Sequence, residues 1–188
     1  MTSSMTSPSA SRRMTARDFL AVADDGNRYQ LLDGEVCLNP SPVARHQRVL
    51  RRLYDALKEG LADSGGGELF FAPLDVVLDD ADVTQPDLLY VSAARASIVG
   101  ERNVQGAPDI VVEVLSDGTR RTDQVKKMRI YERGGVPSYW VVDPDADRLE
   151  IHVLEDGRYR LAGVHARPGV VSPAGYPALR IDLDTLFR

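Results

Sequence analysis

Apolar positions along this chain change their period in an order that lays out a fold. Residues 107–116, Ala-Pro-Asp-Ile-Val-Val-Glu-Val-Leu-Ser, form an almost unbroken apolar run between Gly106 and Asp117-Gly118, which predicts a strand buried on both faces. Ahead of it, residues 29–32 and 35–38 flank Asp33-Gly34, the dipeptide of a tight hairpin turn. After Pro40 and Pro42 the period lengthens. Leu50, Leu53, Tyr54, Leu57 and Leu61 fall at i, i+3, i+4, i+7 and i+11, predicting a helix that ends near Leu61 before the glycines at 65–67. Its outer face carries Arg45, Arg48, Arg51, Arg52 and Lys58.

The remaining elements follow the same logic. Thr15 caps a short helix through Ala23; residues 68–78 give one or two strands broken near Pro73; 79–82 is an acidic turn; and 85–91 is a buried strand. A helix over 119–133, with Val125, Met128 and Tyr131 or Glu132 along it, is stopped by Gly134-Gly135. Strands over 138–143, 148–154 and 158–162 and a helical turn over 182–187 complete the chain. The order predicts an α/β fold, a mixed β-sheet flanked by helices with β-hairpin additions. Residues 1–13, rich in Ser and Thr without an apolar period, read as a disordered tail, leaving 14–188 as one domain.

Charge and cysteine content narrow the function. A net charge of −5 over 188 residues excludes indiscriminate coating of nucleic acid but permits a local basic strip. Cys37 is the one cysteine, and His46, His152 and His165 are scattered, so neither an internal disulfide nor a structural zinc site is expected. Neither a secretory signal nor a membrane-length apolar run is visible, which predicts a cytoplasmic protein with no membrane partner.

One residue interrupts the apolar run. Glu113 stands among Val111, Val112, Val114 and Leu115, where an ionised carboxylate costs several kcal/mol unless a cation or several donors meet it. Asp109 lies four residues away on the same strand, roughly 13 Å at the usual rise, too far to share a small ion. Asp87, opening a second apolar strand after Pro86, is the better partner if the two strands are neighbours about 5 Å apart. Two close carboxylates favour a hard cation, Mg²⁺ or Mn²⁺, whose retained waters include a potential nucleophile towards a phosphodiester. Glu35, at the start of the second hairpin strand, is a candidate third acid. Lys127 is the candidate cation, sharing a helix face with Tyr131 at i+4; Lys126 replaces it if the helix phase is off by one.

These residues, in this order, resemble the Uma family of restriction endonucleases, a branch of the PD-(D/E)XK nucleases. The resemblance rests on Asp87 in QPDLLYV, Glu113 in PDIVVEVLS, Lys127 in KKMRIYERGGVPSYWVVDP and Glu35 in YQLLDGEV, and runs from about residue 15 to 187. It implies a restriction-endonuclease-like fold and DNA hydrolysis, with Asp87, Glu113 and the Val114 carbonyl on Mg²⁺, Glu35 assisting directly or through water, and Lys127 orienting the attacking water. It also implies a homodimer cutting two strands. The common pattern puts the lysine two residues after the glutamate, where this chain has Leu115; a lysine displaced onto the following helix takes its place.

Plainer readings stand beside each of these. Asp87 can be a solvated strand end, Glu113 a buried partner of Arg120 or Arg121, Lys127 a solvated helix position and Glu35 a hairpin-edge charge. His46 is in phase with the apolar stripe and reads first as a core histidine, second as a polar contact at the rim of the site; Gln85 is a further secondary candidate. Tyr139 and Trp140 read as core. The acidic balance favours, as the alternative to an enzyme, a nuclease-fold module that binds nucleic acid or a protein without cutting.

Overall fold

The computed structural model describes residues 13–22, 25–62, 66–116, 120 and 122–188. The expected tail therefore lies, except for Arg13, outside the described residues.

Thr15 caps the first helix, α1 (Ala16–Leu20), by accepting the Asp18 N–H at 3.1 Å. The hairpin of β1 (Tyr29–Leu32) and β2 (Glu35–Leu38) turns through Asp33 and Gly34. Both have positive φ, 54° and 75°, as a two-residue turn of the hairpin's own twist requires. Helix α2 (Ala44–Gly60) buries His46, Val49, Leu50, Leu53 and Leu57. Gly60, its last residue, lets Leu179 approach closely: a Cβ there would lie 2.7 Å from the Leu179 backbone.

The strand expected over 85–91 starts later, at Leu88, and a separate short strand precedes it. β3 (Gly67–Phe71) and β4 (Asp75–Asp79) precede β5 (Asp82–Thr84), and β6 (Leu88–Ser92) begins only after Pro86 and Asp87. Proline offers no N–H to a ladder, so Gln85 to Asp87 pass from one sheet to the other. β7 (Asn103–Gln105) then leads to β8 (Ile110–Val114), the organising strand, buried at all five positions.

The helix expected over 119–133 also differs. Residues 117–119 and 121 lie outside the described residues; a wide π-helical turn over Thr122–Lys127 runs into α3 (Met128–Arg133). The expected phase fails within the wide turn, where Val125 is 47% exposed, and holds from Lys127, which is buried. Strands β9 (Ser138–Asp143), β10 (Arg148–Glu155) and β11 (Arg158–Ala166) follow, the last extending four residues beyond expectation, then β12 (Val170–Val171), β13 (Ile181–Asp182) and α4 (Leu183–Leu186).

Instead of one sheet there are two large ones. The six-stranded sheet runs β11-β10-β9-β8-β6-β3, and the five-stranded sheet β2-β1-β5-β4-β7. Both are mixed: β4 and β7 are parallel, and so are β8 and β9, the latter two joined by a helical crossover. One face of the larger sheet, including Leu88, Val112, Val114, Trp140 and Val142, packs on Leu50, Leu53 and Leu57 of α2 and on α4. Its other face, including Leu89, Val111, Tyr139 and Val141, packs on Tyr131 of α3 and on Val76 and Val104 of the smaller sheet. Tyr139 and Trp140 are fully buried.

A second ion-pair group ties α3 to the smaller sheet. Arg133 reaches Asp82 at 2.6 Å and Asp33 at 2.7 Å. Burial pushes the Asp82 carboxyl upward despite the Asp33 N–H and the Arg133 guanidinium.

Two outcomes test this packing. Leu53→Ala, at a position with no exposure, will lower the unfolding free energy by about 2–5 kcal/mol in urea denaturation. The second concerns His152 on β10, 8% exposed. Burial holds its imidazole below the ordinary histidine value, although Glu150 pulls it upward. The unfolded chain therefore takes up the proton first, and stability is lost as pH falls through and below that ordinary value. Denaturation midpoints measured from pH 7 downward will show the loss in wild type and a flatter profile in His152→Gln.

Candidate active site

The pairing of β6 with β8 positions the site. Leu88 lies opposite Val112 in this antiparallel pair, so one step further Asp87 faces Glu113. The Val114 N–H donates to Asp87 Oδ2 at 2.8 Å. From the opposite side α2 brings His46, whose Nε2 lies 3.0 Å from the same oxygen. His46 is thus inward-facing, as its phase indicates, yet it spends its Nε2 on Asp87 and leaves a buried Nδ1 without a partner. No donor among the described residues engages Asp87 Oδ1.

Glu113 is 2% exposed and is met by two groups from the following helix. The Lys127 ammonium lies 2.9 Å from Glu113 Oε1, both side chains being 3% exposed. The Tyr131 hydroxyl donates to the same oxygen at 2.6 Å. Lys127 and Tyr131, four residues apart, do share a face. Burial and the neighbouring Glu113 charge hold the Tyr131 phenol far above its ordinary value, so it remains a donor throughout the accessible pH range. Arg120, the alternative partner for Glu113, bonds Asp143 at 2.5 Å and Asp145 at 3.1 Å; Arg121 lies outside the described residues.

A small cavity of about 20 Å³ joins these groups, lined by Asp87, Glu113, Val114, Lys127, His46 and Arg28 among others. It is the size of one ion or water. Asp87, Glu113 and Lys127, separated by up to 40 residues in sequence, thus converge on one space. Glu35 and Gln85 do not line it. Glu35, with its side chain 71% exposed, pairs with Lys126 at 2.9 Å. Gln85 donates its side-chain amide to Asp75 at 2.9 Å. Asp109 serves the opposite end of its strand, accepting the Ser92 N–H at 2.8 Å and facing Arg95 at 3.5 Å.

Most of the arginine face of α2 is also accounted for internally. Arg45 pairs with Asp145 and Asp147, Arg51 with Asp55, and Arg52 with C-terminal carbonyls. Sequence reasoning missed Arg28, which lines the cavity; the loop before β1 offered no chemical pattern to single it out.

The fold has a solved counterpart. Among solved structures it is similar to a "putative nuclease belonging to DUF820" from Anabaena variabilis ATCC 29413, with TM-score 0.77 and 19% identity over 93% of this chain and 97% of that one. The family model Uma2, described as "Putative restriction endonuclease", matches residues 16–184. The chain belongs to the Uma2 family. None of the curated proteins matches it.

The Tyr131 hydroxyl supplies one of the donors that make the buried carboxylate tenable. Its removal in Tyr131→Phe will cost roughly 1.5–3 kcal/mol, the usual worth of a hydrogen bond to a charged group, read from urea unfolding.

Proposed function

We propose that this protein is a metal-dependent endonuclease that hydrolyses DNA phosphodiester bonds. The observation that supports it is the single small cavity shared by Asp87, Glu113 and Lys127. The residues fit Mg²⁺ or Mn²⁺. Among the described residues no group of three or more His, Cys, Asp or Glu side chains forms a metal cage, but Mg²⁺ needs only one or two carboxylates and keeps several waters. Asp87, Glu113 and the Val114 carbonyl would hold the ion. When bound, it would supply an acidified water and offset charge on the phosphate.

The chain's own groups have distinct tasks in this reading. The Val114 N–H and His46 fix Asp87 Oδ2, leaving Oδ1 to face the ligand. Tyr131 fixes Glu113. The Lys127 ammonium orients the attacking water and stabilises the pentacoordinate phosphate. Glu35, outside the cavity lining and paired with Lys126, would assist through water. Residues 14–188 would work as one nuclease domain behind the 1–13 tail, in the cytoplasm, with two copies cutting opposite strands.

A second reading has its own support. Lys127 and Tyr131 already meet Glu113, so its burial does not require a metal, and the net charge is −5. A module that keeps this fold and binds without cutting is compatible with both facts.

Two measurements separate the readings. For the enzyme, Mn²⁺ at about 100 times its dissociation constant will raise stability by about 2.7 kcal/mol in thermal unfolding, and Asp87→Ala will abolish the rise. Plasmid nicking by Lys127→Ala will fall at least about 100-fold while the Mn²⁺ response persists. Wild type that neither responds to Mn²⁺ nor nicks DNA leaves the binding module as the function.

A further inference from the structure

Beside the catalytic cavity lies a larger groove of about 520 Å³, lined by Arg28, Gln47, Arg48, Arg51, Phe71 and Asp87 among others. Asp87 and Arg28 belong to both spaces. Arg28 is held where the hairpin opens, its carbonyl accepting the Asn39 N–H at 2.7 Å. Its Nε is buried without a partner, and its guanidinium has no acceptor among the described residues. Arg48 likewise has none, whereas Arg51 is engaged by Asp55. A buried guanidinium nitrogen with no anion is costly, and here it stands at the junction of groove and cavity.

Phe71 adds a different surface. It ends β3 opposite Leu88, so the sheet itself sets it beside Asp87, and the Ala72 N–H reaches the Asp87 carbonyl at 3.3 Å. Its ring is braced by Tyr54 of α2, centroids 4.6 Å apart, yet the residue is 41% exposed. Cationic groups alternating with a braced, open aromatic ring suit a single strand, whose bases have free faces; in a duplex those faces are stacked away.

We propose that this groove is the subsite for the nucleotide adjoining the cleaved bond, with Arg28 holding its phosphate, Arg48 the next phosphate, and Phe71 stacking an unpaired base. The substrate strand is then unpaired at the cut, as in a single strand, a frayed or overhanging end or the underwound stretches of a supercoiled plasmid, and not in a relaxed blunt duplex. The inference rests on the nuclease reading for the bond that is cut, but its binding component is separable.

The test uses the full chain in EDTA, so that no cleavage intervenes, with fluorescein-labelled single-stranded DNA and a blunt duplex of the same sequence, read by anisotropy across a salt series. Arg28→Gln will weaken single-strand binding about tenfold and lower the salt slope by about 0.7. Phe71→Leu will weaken the single strand about tenfold and leave the duplex unchanged, and Phe71→Trp will restore it. An unchanged salt slope in Arg28→Gln, or equal effects of Phe71→Leu on both probes, overturns the subsite, as does wild type that binds neither probe in EDTA or with Ca²⁺. Wild type that nicks plasmid while both variants bind normally sinks the subsite and spares the nuclease. Wild type that shows the predicted binding pattern and never nicks does the reverse.

Discussion

Everything at the centre of this molecule depends on how one buried carboxylate is kept charged. Glu113 sits on a strand with no exposed position, and the Lys127 ammonium and Tyr131 hydroxyl converge on a single oxygen of it. Removing one partner of such a pair leaves an uncompensated charge, at about 3–5 kcal/mol. The crossover from β8 to β9 therefore does more than return the chain to a parallel strand; it delivers the cation that the strand needs. Because the same ammonium also lines the small cavity, the group that makes the interior tenable is also available to a ligand.

Asp87 is secured by another route. It precedes its strand rather than lying in it, and β8 supplies a backbone N–H to Oδ2 while α2 supplies an imidazole. One carboxylate thus leans on the crossover helix and the other on the long helix across the sheet. Two faces of one sheet contribute to a space of about 20 Å³, so the cavity's shape depends on both packing layers at once.

Much of this was legible in the sequence because it rests on local patterns. The Asp33-Gly34 turn, the apolar stripe of α2 and the unbroken apolarity around Glu113 each carry a direct physical signal, and a charge inside such a strand demands a partner. What could not be read was non-local. That Gln85 to Asp87 pass between sheets depends on two sheets existing, and nothing in the period of residues 85–91 distinguishes a strand from a strand and its approach. Glu35 looks equally available for the acidic cluster or for Lys126; only the position of β2 at a sheet edge decides. Arg28 stands in a loop, where residue type alone gives no direction.

The π-helical turn over Thr122–Lys127 ends on two consecutive lysines that face opposite ways. Lys126 turns out to Glu35 on the smaller sheet and Lys127 turns in to Glu113 on the larger. Each residue of an ordinary helix advances the side chain by about 100°, so excising one residue from the wide turn, and thereby tightening it, would rotate the ammonium away from its carboxylate without altering a single functional side chain. Length in this stretch is consequently under stricter geometric control than composition: an insertion or deletion that moved Lys127 would leave Glu113 in need of a new source of positive charge.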